Sequence, residues 1–196
     1  MNERRRESRD ALREAVLRLA ATASVDRITV TALAQAAGVS RETFYQQSST
    51  VAEVLVDALE VELAALVDEN VDLPVSLPDG GSVFRAPTEQ LVEHIESRRD
   101  VYRNAMAPRL HAGVRDLLTR YIRAGLLHHL QAHPEIAPTI GGRAPGEFGR
   151  MALASYGAAG TVGVLEDWLI SDAMMDRGYL VDLILAAAPE WWQQRR

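Results

Sequence analysis

Nine side chains between Thr29 and Gln47 have the types and spacing needed to grip a polyanion and read the edges of its bases. Thr29 and Thr31 stand at the start of one short helical stretch, where hydroxyls and unpaired backbone N–H groups hold phosphate. Ser40, Arg41, Glu42, Thr43, Tyr45, Gln46 and Gln47 crowd the next stretch. Arg pairs with guanine, Gln with adenine, and Thr packs on a thymine methyl. Arg41, Glu42, Thr43, Gln46 and Gln47 are therefore the candidate base readers, while Ser40 fits a helix cap better than a reader.

Such residues work only if the backbone presents them, and the surrounding pattern predicts how. Leu33, Ala34 and Ala37 fall on one face of a helix over 30–37. Gly38 supplies the left-handed geometry that ends it. Val39 plugs the space between helices, and Ser40 caps a short helix over 41–47. Two helices so joined form a helix-turn-helix, whose second helix enters the major groove. An ordinary helical hairpin is the bland alternative, and the coincidence of Gly turn, Ser cap and short polar helix argues against it. A helix over 5–23 precedes the pair, with Leu12, Val16, Leu19, Ala20 and Ala23 inward and Arg6, Arg9, Arg13 and Arg18 toward solvent or phosphate. A helix over 51–71 follows, with Val54, Leu55, Ala58, Leu59, Leu66 and Val67 as its apolar stripe.

Beyond that point the composition changes. Residues 72–87 contain three prolines and two glycines and read as a loop. A helix is predicted over 88–105. Another begins with Pro108 in its first turn and carries Leu110, Val114, Leu117, Leu118, Tyr121, Ile122, Leu126 and Leu130. A second Pro/Gly-rich break covers 133–145, and two helices, 146–171 and 173–188, close the chain. The first holds Gly157, Gly160 and Gly163, which together cost about 3 kcal/mol against Ala. Close approach of another helix, within the chain or from a second copy, would offset that.

Composition limits the alternatives. The 196 residues are 47% hydrophobic, enough for a core, and contain no cysteine for disulfides or thiolate metal sites. No apolar run reaches the roughly 20 residues of a membrane span, and no hydrophobic signal core follows Met1. The expectation is a cytoplasmic protein. Net charge is −6, which opposes loose binding to polyanions, but phosphate contact depends on local charge. Residues 1–50 hold eight Arg against six acids, and every basic residue in the chain is Arg. No phosphate loop, nucleophile elbow or zinc-protease motif occurs, so no catalytic residue and no cofactor are expected. His129 and His133 share a helical face beside His128, yet a metal site needs three or four ligands and no acidic partner is placed. No metal is expected.

Ile28-Thr29-Val30, Leu33-Ala34, Ala36-Ala37-Gly38-Val39-Ser40 and Thr43-Phe44-Tyr45 resemble the start of the tetracycline-repressor (TetR) family of bacterial transcription regulators. The match is specific over about the first sixty residues. The resemblance implies an all-α chain: a three-helix DNA-binding domain over 1–50, with its helix-turn-helix at about 29–48, then a helical bundle over 51–196 for ligand binding and dimerisation. It also implies that Thr29, Thr31 and Tyr45 touch the DNA backbone. A homodimer would bind a palindromic duplex operator, as a repressor released by a small hydrophobic effector. The stretch from Tyr156 to Leu169 looks like the family's penultimate helix, which places Gly157, Gly160 and Gly163 at the dimer contact. A pocket among the central helices would draw on Tyr102, Met106, Leu118, Tyr121, Met151, Tyr156 and Trp168, with His94, Arg98 and Arg123 as conceivable polar anchors. Two positions depart from the family pattern, since Ser48 replaces an aromatic residue and Val51 a lysine. They leave open a dimer that no longer reads DNA sequence and serves as a ligand sensor or protein partner.

Overall fold

Leu12, Ala15, Val16 and Ala20 recur at helical spacing and are all buried, so the first amphipathic stretch folds as helix α1 (Glu3–Ala20). The computed structural model describes residues 3–68, 73–78, 80–171 and 175–189. Its further α-helices are α2 (Val30–Ala36), α3 (Arg41–Tyr45), α4 (Val51–Asp68), α5 (Arg85–Ser97), α6 (Arg99–Asn104), α7 (Ala112–Ala132), α8 (Glu147–Ile170) and α9 (Arg177–Ala187). Single 3₁₀ turns cover Val25–Arg27 and Pro134–Ile136. Among the described residues there are isolated β-bridges but no strand, and the all-α expectation holds. No described helix is long and apolar enough to cross a membrane. The predicted end of the fourth helix at Val71, the side chain of Val67 and the predicted start of the last helix at Ala173 lie outside the described residues.

The chain divides into two compact units, Met1–Ala64 with Ser97–Leu117, and Ala65–Glu96 with Leu118–Arg196. The first is larger than the expected 1–50 segment because most of α4 and all of α6 belong to it. Its core joins the α1 stripe to Leu33 and Ala34 of α2, Phe44 of α3, and Val54, Leu55, Ala58, Leu59 and Leu63 of α4. Arg9 and Arg13 of α1 both donate to the Asp57 carboxylate of α4, Arg9 through Nε at 2.9 Å and Arg13 through Nε and Nη2 at 2.7 and 3.1 Å. Burial pushes the Asp57 carboxyl up, but hydrogen bonds from Arg13 and Arg9 outweigh it and hold it below the usual value.

Two expectations are corrected here. The helix predicted over 88–105 is two helices, broken at Arg98, whose φ of −112° and ψ of 21° leave the helical region. Arg98 is there engaged with Glu62 of α4, donating at 3.2 and 2.6 Å. Sequence periodicity continues across this break because Leu91, Val92, Ile95, Val101 and Tyr102 are all buried. Pro108 is not in the first turn of a helix. It sits in a turn closed by the Met106–Leu110 bridge, and α7 starts only at Ala112.

The second unit packs buried apolar faces of α5, α7, α8 and α9. Ion pairs tie α5 to α9: Arg85 to Asp182 at 2.5 Å, and Arg177 to Glu93 and Glu96 at 3.1 and 2.7 Å.

Asp57→Asn should lower unfolding stability by about 1–2 kcal/mol, because it weakens charge-assisted hydrogen bonds that leave both arginines without their carboxylate. The wild-type increment is present above the unfolded carboxyl pKa and is lost as pH falls through the lowered folded value. Denaturant melts of both proteins between pH 2.5 and 7 should therefore converge at the acid end.

Candidate nucleic-acid interface and effector cavity

Every end of the helix-turn-helix is closed by a named group. Thr29, in extended conformation, accepts the N–H of Ala32 on its hydroxyl at 3.1 Å and caps α2. Gly38, at φ +67°, reverses the chain at the other end. The N–H of Gly38 donates to Gln35 O at 3.1 Å and that of Val39 to Ala34 O at 2.9 Å, the pairing of a Schellman motif. Ser40 then caps α3 by accepting the N–H of Thr43 at 3.0 Å, with the Thr43 hydroxyl 2.9 Å from its own. Phe44 is fully buried and anchors α3. Tyr45 stands edge-on to it at 5.3 Å and is 54% exposed.

This arrangement exposes Arg41, Glu42, Tyr45 and Gln46, leaves Thr43 half-buried, and also exposes Thr29, Thr31 and Ser40. The helix predicted over 41–47 ends at Tyr45. Gln47, beyond it, is half-buried, and its Oε1 atom is buried without a hydrogen-bond partner among the described residues. The arginine-rich start of α1 is also partly committed within the fold. Arg5 donates to Gln46 O and Arg18 to Ala36 O, both at 3.3 Å.

Sequence reasoning missed one feature that was legible. Thr50-Val51-Ala52-Glu53 matches the Ser/Thr-x-x-Glu capping box. The Thr50 hydroxyl accepts the Glu53 N–H at 3.1 Å, and the Glu53 carboxylate accepts from Ser49 N at 2.7 Å, Ser48 Oγ at 3.0 Å and Thr50 N at 3.3 Å. Hydrogen bonds from the Ser49 backbone and the Ser48 side chain hold the Glu53 carboxyl below its usual value. Ser48 is thus part of a cap, and Val51 is buried in the core. Both positions that depart from the TetR pattern have structural work here.

In the second unit a cavity of about 630 Å³ opens among α5, α7, α8 and α9, with Leu73 and Phe84 from the segment ahead of α5. Of the seven residues expected to line a pocket, only Tyr121 does. Tyr102 is fully buried and Met106 half-buried in the first unit, Leu118 and Trp168 are packed in core, and Met151 and Tyr156 are on the surface. Aromatic and sulfur-bearing types alone do not separate a cavity wall from core or surface. The expected polar anchors are also elsewhere: Arg98 holds Glu62, Arg123 donates to Ser155 at 2.9 Å, and His94 is absent from the wall. Instead the wall carries His128, His129 and His133. His129 is 3% exposed and stands edge-on to Phe84 at 4.9 Å and to His133 at 4.8 Å. Burial, reinforced by the neighbouring His133 and His128, pushes its pKa down to about 4. His133 Nε2 lies 3.1 Å from Leu73 O, so it carries the proton and donates.

Gly160 and Gly163 of α8 have open space where a Cβ would stand, with nothing from the described residues of this chain within 4 Å. Gly157, by contrast, is buried within the chain. The face bearing Gly160 also exposes Phe148, Ala152, Tyr156, Ala159 and Ile170 at helical spacing. Exposed Tyr179 and Leu183 lie on α9.

No family model matches the chain, and no curated protein matches its sequence. Solved structures do match its fold over nearly full length, and they are TetR-family transcription regulators. The Thermus thermophilus repressor FadR, solved with lauroyl-CoA, superposes with a TM-score of 0.68 at 20% identity, covering 96% of each chain. The dihydroxyacetone kinase operon activator DhaS gives 0.61 at 15% identity, over 92% of this chain and 96% of its own. A TetR-family regulator from Streptomyces coelicolor gives 0.56 at 19%, over 97% and 92%. At these identities the likeness establishes a shared fold.

The lowered pKa of His129 has a measurable consequence. Unfolding restores the ordinary value near 6.5, so the unfolded chain binds the extra proton first. Stability should fall as pH drops from about 6.5 to about 4 and stop falling from this source below that. Thermal melts of His129→Phe, which keeps an aromatic ring against Phe84, should show a shallower slope in that window than wild type.

Proposed function

We propose that this chain is a homodimeric, ligand-responsive transcription regulator that binds a palindromic operator and acts as a repressor. The observation that carries the reading is the exposed row Arg41, Glu42, Tyr45 and Gln46, on a short helix capped by Ser40 and anchored by Phe44. Arg41 and Gln46 are the principal base readers, with Glu42 and Thr43 beside them. Thr29, Thr31 and Tyr45 hold the backbone. The Glu53 carboxylate occupies the start of α4, which makes that helix end a poor phosphate receiver and leaves the task to the start of α2.

The exposed small-residue and aromatic face of α8, continued by Tyr179 and Leu183, supports dimerisation through α8 and α9. Dimerisation places two reading heads in successive major grooves, about 34 Å apart. The cavity in the second unit is the effector site, and its occupant favours a dimer whose heads are wrongly spaced. Such coupling requires about 1–3 kcal/mol of differential binding between the two states. Both an activator and a repressor occur among the similar folds, so the direction of control is read from reporter expression.

Selection from random duplex DNA at two salt concentrations should enrich a palindrome. Arg41→Ala should then bind that palindrome about 10–100-fold more weakly, with far less change on unrelated duplex, as loss of a base-reading pair requires. No enrichment by folded dimer would refute operator reading and leave a dimer that senses ligand without reading DNA. Gly163→Arg should sediment as a folded monomer and lose the palindrome, because its side chain meets open space within one chain but a partner helix in the dimer. A Gly163→Arg dimer would place the interface elsewhere.

A further inference from the structure

The cavity wall identifies the chemistry of its occupant, and this inference rests on the reading of the cavity as an effector site. Its volume of about 630 Å³ lies within the range of small-molecule sites. Among the described residues that line it there is no Asp, Glu or Arg, in a chain where nearly a quarter of all residues are charged. A charged ligand group buried there would have no opposite charge to meet, which is strongly unfavourable. Buried His129 stays neutral at physiological pH, and His133 already has the Glu135 carboxylate 3.7 Å from its Nδ1.

Two hydroxyls on the wall have already donated their protons. The Thr88 hydroxyl donates to Phe84 O at 2.6 Å and the Thr161 hydroxyl to Gly157 O at 2.9 Å. The His133 Nε2–H is spent on Leu73 O. Each hydroxyl has used its proton on the backbone, and what it can offer a ligand is a lone pair. The two threonines, on α5 and α8, thus set hydrogen-bond acceptors in a largely apolar wall. An apolar ligand with an O–H or N–H satisfies them, whereas one bearing only acceptors leaves them unpaired.

We infer that the effector is an uncharged, largely apolar molecule carrying a hydrogen-bond donor, of the phenol, alcohol or arylamine type, and not a carboxylate, an acyl thioester of a phosphorylated carrier, or an amine cation.

The test uses a matched pair of probes on the full chain. N-phenyl-1-naphthylamine is neutral, apolar and carries one N–H. 1-Anilinonaphthalene-8-sulfonate is the same skeleton with a fixed negative charge. Fluorescence titration should give saturable binding of the neutral probe at one site per chain, at least about tenfold tighter than the sulfonate. Lauroyl-CoA, added as a competitor, should not displace it. Gly125 lines the cavity and has open space at its Cβ position, so Gly125→Leu should abolish neutral-probe binding while retaining the helical circular-dichroism spectrum. Thr161→Val, nearly isosteric and lacking the acceptor, should weaken the neutral probe about tenfold and serves if Gly125→Leu does not fold.

Sulfonate or lauroyl-CoA binding as tight as the neutral probe would overturn the inference. So would absence of neutral-probe binding, or binding that neither Gly125→Leu nor Thr161→Val alters. These outcomes are separate from the fate of operator reading. Failure to select DNA leaves probe binding unchanged, and failure of the probe leaves selection by Arg41 and Gln46 unchanged.

Discussion

A helix of five or seven residues cannot support itself in water, because nucleation costs more than its few hydrogen bonds return. Helices α2 and α3 are two such helices, and the design of the first unit follows from that shortage. Thr29, Ser40 and the Thr50–Glu53 pair satisfy N–H groups at the starts of α2, α3 and α4. Carbonyls at the ends of α1, α2 and α3 receive donors from distant elements: Asn104 to Ala20 O at 2.8 Å, Arg18 to Ala36 O and Arg5 to Gln46 O at 3.3 Å. Phe44, Leu33 and Ala34 contribute apolar burial. The short helices are therefore held by their ends and one face, which leaves the remaining face of α3 available to a partner.

The same economy governs how an acidic chain distributes its arginines. Much of the positive charge in α1 is directed into the fold, with Arg9 and Arg13 on Asp57 and Arg5 and Arg18 on backbone carbonyls. Exposed Arg41 projects from α3 instead. With a net charge of −6, the operator reading proposed above depends more on placed contacts than on a broad basic field. Ser48 and Val51 fit the same economy, one drawn into the α4 cap and the other into the core.

In the second unit the charges are kept at the periphery, in the Arg85 and Arg177 pairs between α5 and α9. The cavity those helices enclose is left with threonines, histidines and hydrocarbon. Exposed ion pairs can hold helices together without placing charge in the wall, so the helix-joining contacts and the cavity lining use different chemistry. Buried neutral His129 fits this division, since burial and the neighbouring histidines disfavour its protonated form more than Glu135 favours it.

Local chemistry was written in the sequence: the helical periods, the Gly38 turn, the Thr29 and Ser40 caps, the break over 133–145, and the exposure of Arg41, Tyr45 and Gln46. These depend on interactions within a few residues, and the Thr50–Glu53 capping box was equally readable by that rule. What depends on distant partners was not readable. The split of the predicted 88–105 helix at Arg98 is accompanied by its pairing with Glu62, thirty-six residues away, and nothing local marks the Gln47 Oε1 atom as buried. The cavity shows the limit most clearly. Tyr102, Leu118 and Trp168 share their chemistry with Tyr121 and Leu91, and only tertiary packing decides which apolar side chains meet each other and which meet empty space.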